Sequence, residues 1–171
     1  MYGIELRELR PDDVDWIHAA CQDPEIQRWT LVPRPYTRAD AEWFVGNDPE
    51  WLSRVVVDAE SGEPLGMIGV HDVIDGVADI GYWIAPWGRS RGAASSAVKR
   101  MIELVGSMTR LTAVTARVAE GNVASRTTVE RAGFAESARE CDACPDGENL
   151  STAVVYRLDI TQGPPAIRTA L

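Results

Sequence analysis

The stretch Pro86-Trp87-Gly88-Arg89-Ser90-Arg91-Gly92-Ala93-Ala94-Ser95-Ser96-Ala97 carries the strongest chemical signal in the sequence. It lies where a strand pattern gives way to a helical one. The first amides of a helix lack intrahelical partners and carry the positive end of its dipole. Gly92, Ala93 and Ala94 are small enough to let an anion approach those amides. Arg89 and Arg91 add positive charge, and Ser90 and Ser95 add hydroxyl donors. The combination suits a pyrophosphate. The plainer alternative is a solvated turn leading into a helix packed closely on a sheet. Neither G-x-x-x-x-G-K-(S/T) nor a G-x-G-x-x-G in a parallel βαβ context occurs, which excludes the two common nucleotide loops.

The elements that must hold this turn follow from periodicity. Ile4 to Leu9 alternates apolar and polar residues as a half-buried strand does. Pro11-Asp12-Asp13 opens a helix to about Cys21, and Thr37-Arg38-Ala39-Asp40 is a capping box with Asp in place of Glu, starting a helix through Trp43 and Phe44. Strands are expected over Arg54 to Asp58, Leu65 to Val73 and Val77 to Ala85, the last two joined by the hairpin signal Asp75-Gly76. Apolar residues from Ala93 to Val105 recur at helical spacing, so Gly92 to Gly106 is read as a helix with one buried face. A buried strand over Leu111 to Val118, a short helix over Asn122 to Arg131 ended by Gly133, and strands over Phe134 to Glu140 and Ser151 to Leu158 complete the chain. That order implies an α/β (α+β) domain with a mixed sheet. One domain is expected over 1–160, with 161–171 a flexible tail broken by Gly163-Pro164-Pro165.

Composition narrows the partners. The 171 residues fit one domain, and the net charge of −9 weighs against nucleic acid while suiting a cationic substrate. No apolar run approaches the ~20 residues that cross a bilayer, so no membrane role and a cytoplasmic location are expected. Three cysteines, Cys21, Cys141 and Cys144, do not make a disulfide framework. Cys141-Asp142-Ala143-Cys144 is a lone C-x-x-C without a second ligand pair, so no metal is expected.

Arg89-x-x-Gly92-x-Ala94, with Pro86 three residues before the arginine, resembles the (Q/R)-x-x-G-x-(G/A) signature of the GNAT acetyltransferase superfamily. Asp79-Ile80-Gly81-Tyr82-Trp83-Ile84 is similar to the strand before that loop in the Rim-type branch, which acetylates protein N-termini. Gly121-Asn122-Val123-Ala124-Ser125 followed by Gly133-Phe134 resembles that branch's N-x-x-S helix and G-F pair, as do Asp23-Pro24-Glu25-Ile26 and Pro35-Tyr36-Thr37 near the N-terminus. The resemblance spans roughly residues 4–160. It implies a mostly antiparallel sheet, splayed in the middle and flanked by helices, with acetyl-coenzyme A as acetyl donor in the splay. It further implies that the amides from Arg91 to Ser95 hold the pyrophosphate. The backbone of Trp83 and Ile84 would pair with the pantetheine like an added strand, and Asn122 would lie beside it. Ala93 stands where the family has a large residue and Ser96 where the branch often has Glu, which leaves the substrate class open.

The implied reaction is attack of a neutral amine on a thioester, needing an oxyanion donor, a proton acceptor and help for the leaving thiolate. A backbone N–H near Ile84 is the expected oxyanion donor. Ser125, three residues after Asn122, is the candidate proton donor to sulfur, or else only part of the helix cap. Asp79 is the candidate base, or else a solvated hairpin residue. His71 has a useful acidity but is expected on the outer face of its strand, and His18 is expected to be structural. Trp29, Trp43 and Trp51 would wall an acceptor site or pack a core, and Asp142, Asp146 and Glu148 form an acidic late loop. The acceptor is either a peptide N-terminus or a small-molecule amine, and the protein a monomer or homodimer. The alternative is a coenzyme A-binding module with a decayed catalytic half and a regulatory or interaction role.

Overall fold

The computed structural model describes residues 3–160; the expected tail at 161–171 lies outside the described residues. Seven strands form one sheet: β1 (Ile4–Arg7), β2 (Leu52–Asp58), β3 (Pro64–Ile74), β4 (Val77–Ile84), β5 (Ala113–Ala119), β6 (Ala135–Asp146) and β7 (Asn149–Asp159). Their order is β1-β2-β3-β4-β5-β7-β6, and only the β4–β5 pair is parallel. The helices are α1 (Val14–Ala20), α2 (Pro24–Trp29), α3 (Arg38–Asn47), α4 (Ala93–Met108) and α5 (Val123–Arg131). The mixed, mostly antiparallel sheet expected from the sequence is present.

Strand alternation divides the core between the two faces of the sheet. Val56 of β2 packs with Ala97, Val98, Met101 and Val105 of α4, while its neighbours Val55 and Val57 pack with Met67, Trp16 and Phe44 on the face covered by α1 and α3. Burying side chains of this size stabilises by about 1.5–3 kcal/mol each, which fixes α4 to the sheet by its apolar stripe. The capping box of α3 forms as read: the Thr37 amide donates to Asp40 at 2.7 Å and the Asp40 amide to Thr37 Oγ1 at 3.3 Å. Asp75 and Gly76 both have positive φ, 50° and 78°, as a tight β3–β4 hairpin requires.

Three elements differ from expectation. Helix α2 shows no helical period in the sequence, although Asp23 caps it by accepting from the Ile26 amide at 3.0 Å and Pro24 fills its first position. Six residues are too short to show a helical period. The first helix begins as a 3-10 turn over Pro11–Asp13. The last hairpin is longer than its apolar residues suggest. Strand β6 is a charged, mostly exposed edge whose register shifts twice, between Glu136 and Ala138 and between Glu140 and Cys144. Backbone pairing, not alternation, carries it.

Candidate active site

The parallel ladder joins Val77 to Ala113 and ends at Ile80 with Ala116. Beyond it β4 continues to Ile84 beside β3, and β5 continues to Ala119 beside β7. The two strands therefore separate, and a cavity of about 820 Å³ opens between them, floored by Gly81 to Ile84 on one side and Ala116 to Ala119 on the other.

The hydrogen-bond pattern of β4 fixes which groups face the gap. The Ala85 amide donates to the Leu65 carbonyl at 2.8 Å, and Ile84 pairs with Gly66. In an antiparallel ladder alternate residues bond to the neighbour, so Trp83 spends its backbone on Met67. Tyr82 and Ile84 turn N–H and C=O toward the open edge. Of the expected pair, Ile84 faces the gap and Trp83 does not. The Trp83 indole lies on the other face against Trp16, 5.6 Å between ring centroids.

The open edge runs through a 3-10 turn at Pro86–Gly88 into the start of α4. Gly88 is buried against β3; a Cβ there would sit 2.7 Å from the Leu65 carbonyl oxygen. Ser90 and Gly92 both adopt positive φ, 61° and 73°, and Gly92 is the N-cap of α4. No side chain caps that helix, and its first bond within the helix is from the Ser96 amide to the Gly92 carbonyl, 3.1 Å. Ala93, Ala94 and Ser95, in the first turn of α4 whose amides precede the first intrahelical bond, line the cavity. The Ser95 hydroxyl bonds back to the Gly92 carbonyl at 3.1 Å. The arginines are less available than expected. Arg89 forms an ion pair with Asp23, the cap of α2, and Arg91 lies 3.6 Å from Glu63. Charge in this turn is already matched by these carboxylates.

Across the gap, Asn122 caps α5 by accepting from the Ser125 amide at 3.1 Å. That leaves the Ser125 hydroxyl for another partner, which is the Tyr82 hydroxyl at 2.9 Å. Tyr82 crosses from β4 to α5, and burial pushes its phenol pKa up, so it stays protonated. The pair forms a neutral hydroxyl couple beside the open edge. Tyr82 was not singled out from the sequence, because its partner lies 43 residues away.

Asp79 also lines the cavity. Its oxygens each accept a bond, from Thr115 Oγ1 at 2.9 Å and from Arg117 at 2.6 Å. His71 is exposed, as expected, and it also lines the cavity with Glu50, its Nδ1 2.5 Å from the carboxylate. The Glu50 bond raises the histidine's pKa against the opposing effect of burial. His18 stacks on Tyr36, as a structural residue would.

Of the three tryptophans expected near the acceptor, only Trp29 lines the cavity, while Trp43 and Trp51 are largely exposed. Trp29 packs on Gly121, lies under the Arg28 guanidinium at 4.2 Å, and Arg28 in turn bonds Asp146 of the late hairpin at 2.7 Å. Of the late acids, Asp146 thus helps clasp α2 to β6. Cys144 is buried at the cavity wall, Cys141 is exposed and Cys21 is buried; all three are free thiols. No helix among the described residues is long and apolar enough to cross a membrane.

A sheet that separates beside a helix start without a side-chain cap is a cleft open along backbone groups of β4 and α4. The model of the acetyltransferase (GNAT) domain matches residues 4–135, and the chain belongs to that family. It is 35% identical over 152 residues to YdaF of Bacillus subtilis (strain 168), whose name is "Putative ribosomal N-acetyltransferase", covering 81% of each chain. The fold is shared with RimJ of Mycobacterium smegmatis, solved with CoA-disulfide, at a TM-score of 0.80, 18% identity, and 91% and 81% of the two chains. It is shared too with spermidine N-acetyltransferase of Vibrio cholerae, solved with CoA and spermine, at a TM-score of 0.77, 19% identity, and 91% and 95% of the chains.

Proposed function

We propose that this protein transfers an acetyl group from acetyl-coenzyme A to a primary amine by direct attack in a ternary complex. The observation that carries the reading is the continuous path from the freed edge of β4 to the uncapped amides of α4. A pantetheine arm would lie along Tyr82 and Ile84 as a strand does, and the diphosphate would accept from Ala93, Ala94 and Ser95. Ser90, Arg91 and Gly92 would shape the turn, Arg89 would tie it to α2, and Asn122 would border the arm.

In this reading the amine attacks the thioester carbonyl and the oxyanion is met by the Ile84 or Tyr82 amide. The thiolate leaves with an acidity near that of cysteine, about 8.5, so it needs only modest help. The Ser125–Tyr82 hydroxyl couple supplies that proton. Asp79, bound to Thr115 and Arg117, would shape the charge around the amine. The presence of both hydroxyls in contact favours an active enzyme over a decayed binding module.

The 35% relative favours a protein N-terminus as acceptor over a small amine. A cytoplasmic setting suits three free thiols, and the protein would act as a monomer or homodimer. Release of coenzyme A should be followed with acetyl-coenzyme A and a panel of peptides with free or blocked N-termini, alongside spermidine. Turnover with free N-termini, absent when they are blocked, supports the reading. Turnover with spermidine alone would move the acceptor to small amines, and none with any amine would reject it.

A further inference from the structure

Two glycines stand directly opposite each other in the antiparallel β3–β4 pair, Gly69 with Gly81. Glycine inside a strand is unfavourable by roughly 0.5–1 kcal/mol relative to alanine, so a facing pair calls for a reason. The reason lies above them. A Cβ on Gly69 would be 3.2 Å from Glu50 Cγ, and a Cβ on Gly81 would be 2.6 Å from His71 Nε2. The glycines form a bare floor on which these two side chains lie.

The backbone delivers them there by two devices. Glu50 comes from the segment between α3 and β2. His71 falls at a register shift of β3, between Val70 paired with Ile80 and Asp72 paired with Asp79, so it is the extra residue of a bulge. Bulges re-aim side chains, and this one swings the imidazole across the neighbouring strand. The ring leads with Nε2 over Gly81, the first residue of β4 past the end of the parallel ladder. Nδ1 is held by Glu50, and among the described residues Nε2 has no hydrogen-bond partner.

Resting on the acetyl-transfer reading above, we propose that His71, oriented by Glu50, is the base that takes the proton from the attacking amine. With Nδ1–H donated to the carboxylate, the neutral ring presents its Nε2 lone pair to the splay. The N–C bond forms to the thioester carbonyl as the amine's proton passes to Nε2. The C–S bond then breaks with its electron pair on sulfur, and sulfur takes a proton from the Ser125–Tyr82 couple. Proton exchange with water restores both groups. Base and acid come from opposite faces of β4, since Gly81 and Tyr82 alternate. Asp79, with both oxygens engaged, is the poorer acceptor.

The charged groups around the ring are Glu50, Asp72 on its own strand, and Asp79 on β4, itself paired with Arg117 of β5. All three carboxylates favour the protonated imidazole, so activity should fall on the acid side as the ring gains its proton. The test is the pH profile of kcat/KM for wild type, His71→Gln, Glu50→Gln and Gly81→Ala, with acetyl-coenzyme A affinity measured in parallel by calorimetry. His71→Gln should lower kcat by about 10²–10⁴-fold and abolish the acid limb, with cofactor affinity unchanged. Glu50→Gln should keep the limb but move it to lower pH. Gly81→Ala displaces only the tip of a side chain, so it should fold and lose kcat. A His71→Gln enzyme with wild-type kcat and an intact acid limb would overturn the base assignment while leaving acetyl transfer standing. A wild type that binds the cofactor but acetylates no amine would overturn both.

Discussion

Replacing Gly92 with valine tests the anion cradle at its hinge. Gly92 has φ 73° and ψ 10°, and a Cβ there would meet nothing within 4 Å. Space is therefore not the obstacle; conformation is. An L-residue held left-handed costs about 1–2 kcal/mol, and β-branching adds to it. The sixteen-residue helix behind it is fixed by five buried side chains, so the turn relaxes before the fold yields. Relaxation re-aims the amides of Ala93, Ala94 and Ser95. Each hydrogen bond to a charged phosphate is worth roughly 1.5–3 kcal/mol. Losing one such bond weakens Kd roughly 10- to 140-fold at about 1.4 kcal/mol per tenfold. Calorimetry with acetyl-coenzyme A reads this directly, and the Tm should fall by only about 2–8 °C for a domain of this size. Gly92→Asn, which tolerates the left-handed region, should stay near wild type. Gly46→Ala in the exposed part of α3 serves as control, since its Cβ also meets nothing. A Gly92→Val protein that binds as tightly as wild type would refute the reasoning.

Other consequences are more local. Ser125→Ala and Tyr82→Phe should each slow turnover more than they weaken cofactor binding, and their double variant should lose less than the product of the two, because the hydroxyls act as one couple; additive losses in steady-state kinetics would contradict this. Gly88→Ala would push a methyl to 2.7 Å from the Leu65 carbonyl oxygen, so its melting temperature should drop well below that of Gly92→Val. Asp13 is buried; burial pushes its carboxyl up, but bonds from Arg7, Trp16 and the Arg10 amide outweigh this and hold it low. Removing it strands Arg7, so Asp13→Ala should cost about 3–5 kcal/mol in chemical denaturation. Because the folded carboxyl lies below its unfolded value near 3.9, that contribution is complete above this pH and disappears as pH falls through the folded value. The wild-type and Asp13→Ala stabilities should converge there.

Much of this was legible in the sequence because it is local. The turn from Pro86 to Ala97, the cap at Asn122 and the Asp75-Gly76 hairpin each rest on residues within a few positions of one another, and each forms as read. What sequence missed depends on distant pairs. Arg89 meets Asp23 across 66 residues, Tyr82 meets Ser125 across 43, and Glu50 meets His71 across 21. The bulge that lays the His71 ring over Gly81, at the cavity, leaves no mark in the local pattern of residues. The Gly69–Gly81 pairing needs a register that only the folded sheet supplies. The phase of the β3–β4 ladder, which turns the backbone of Tyr82 and Ile84 to the open edge and that of Trp83 to Met67, likewise needs the folded register.

The central claim is that main-chain groups of β4 and α4 hold the acetyl donor. Titrating ¹⁵N-labelled protein with acetyl-coenzyme A and following amide resonances tests it directly. The largest shifts are expected at Ala93, Ala94 and Ser95, then at Tyr82 and Ile84, with Gly46 and Glu42 of α3 unmoved. Shifts clustered away from the splay, with those five amides silent at saturation, would contradict the account.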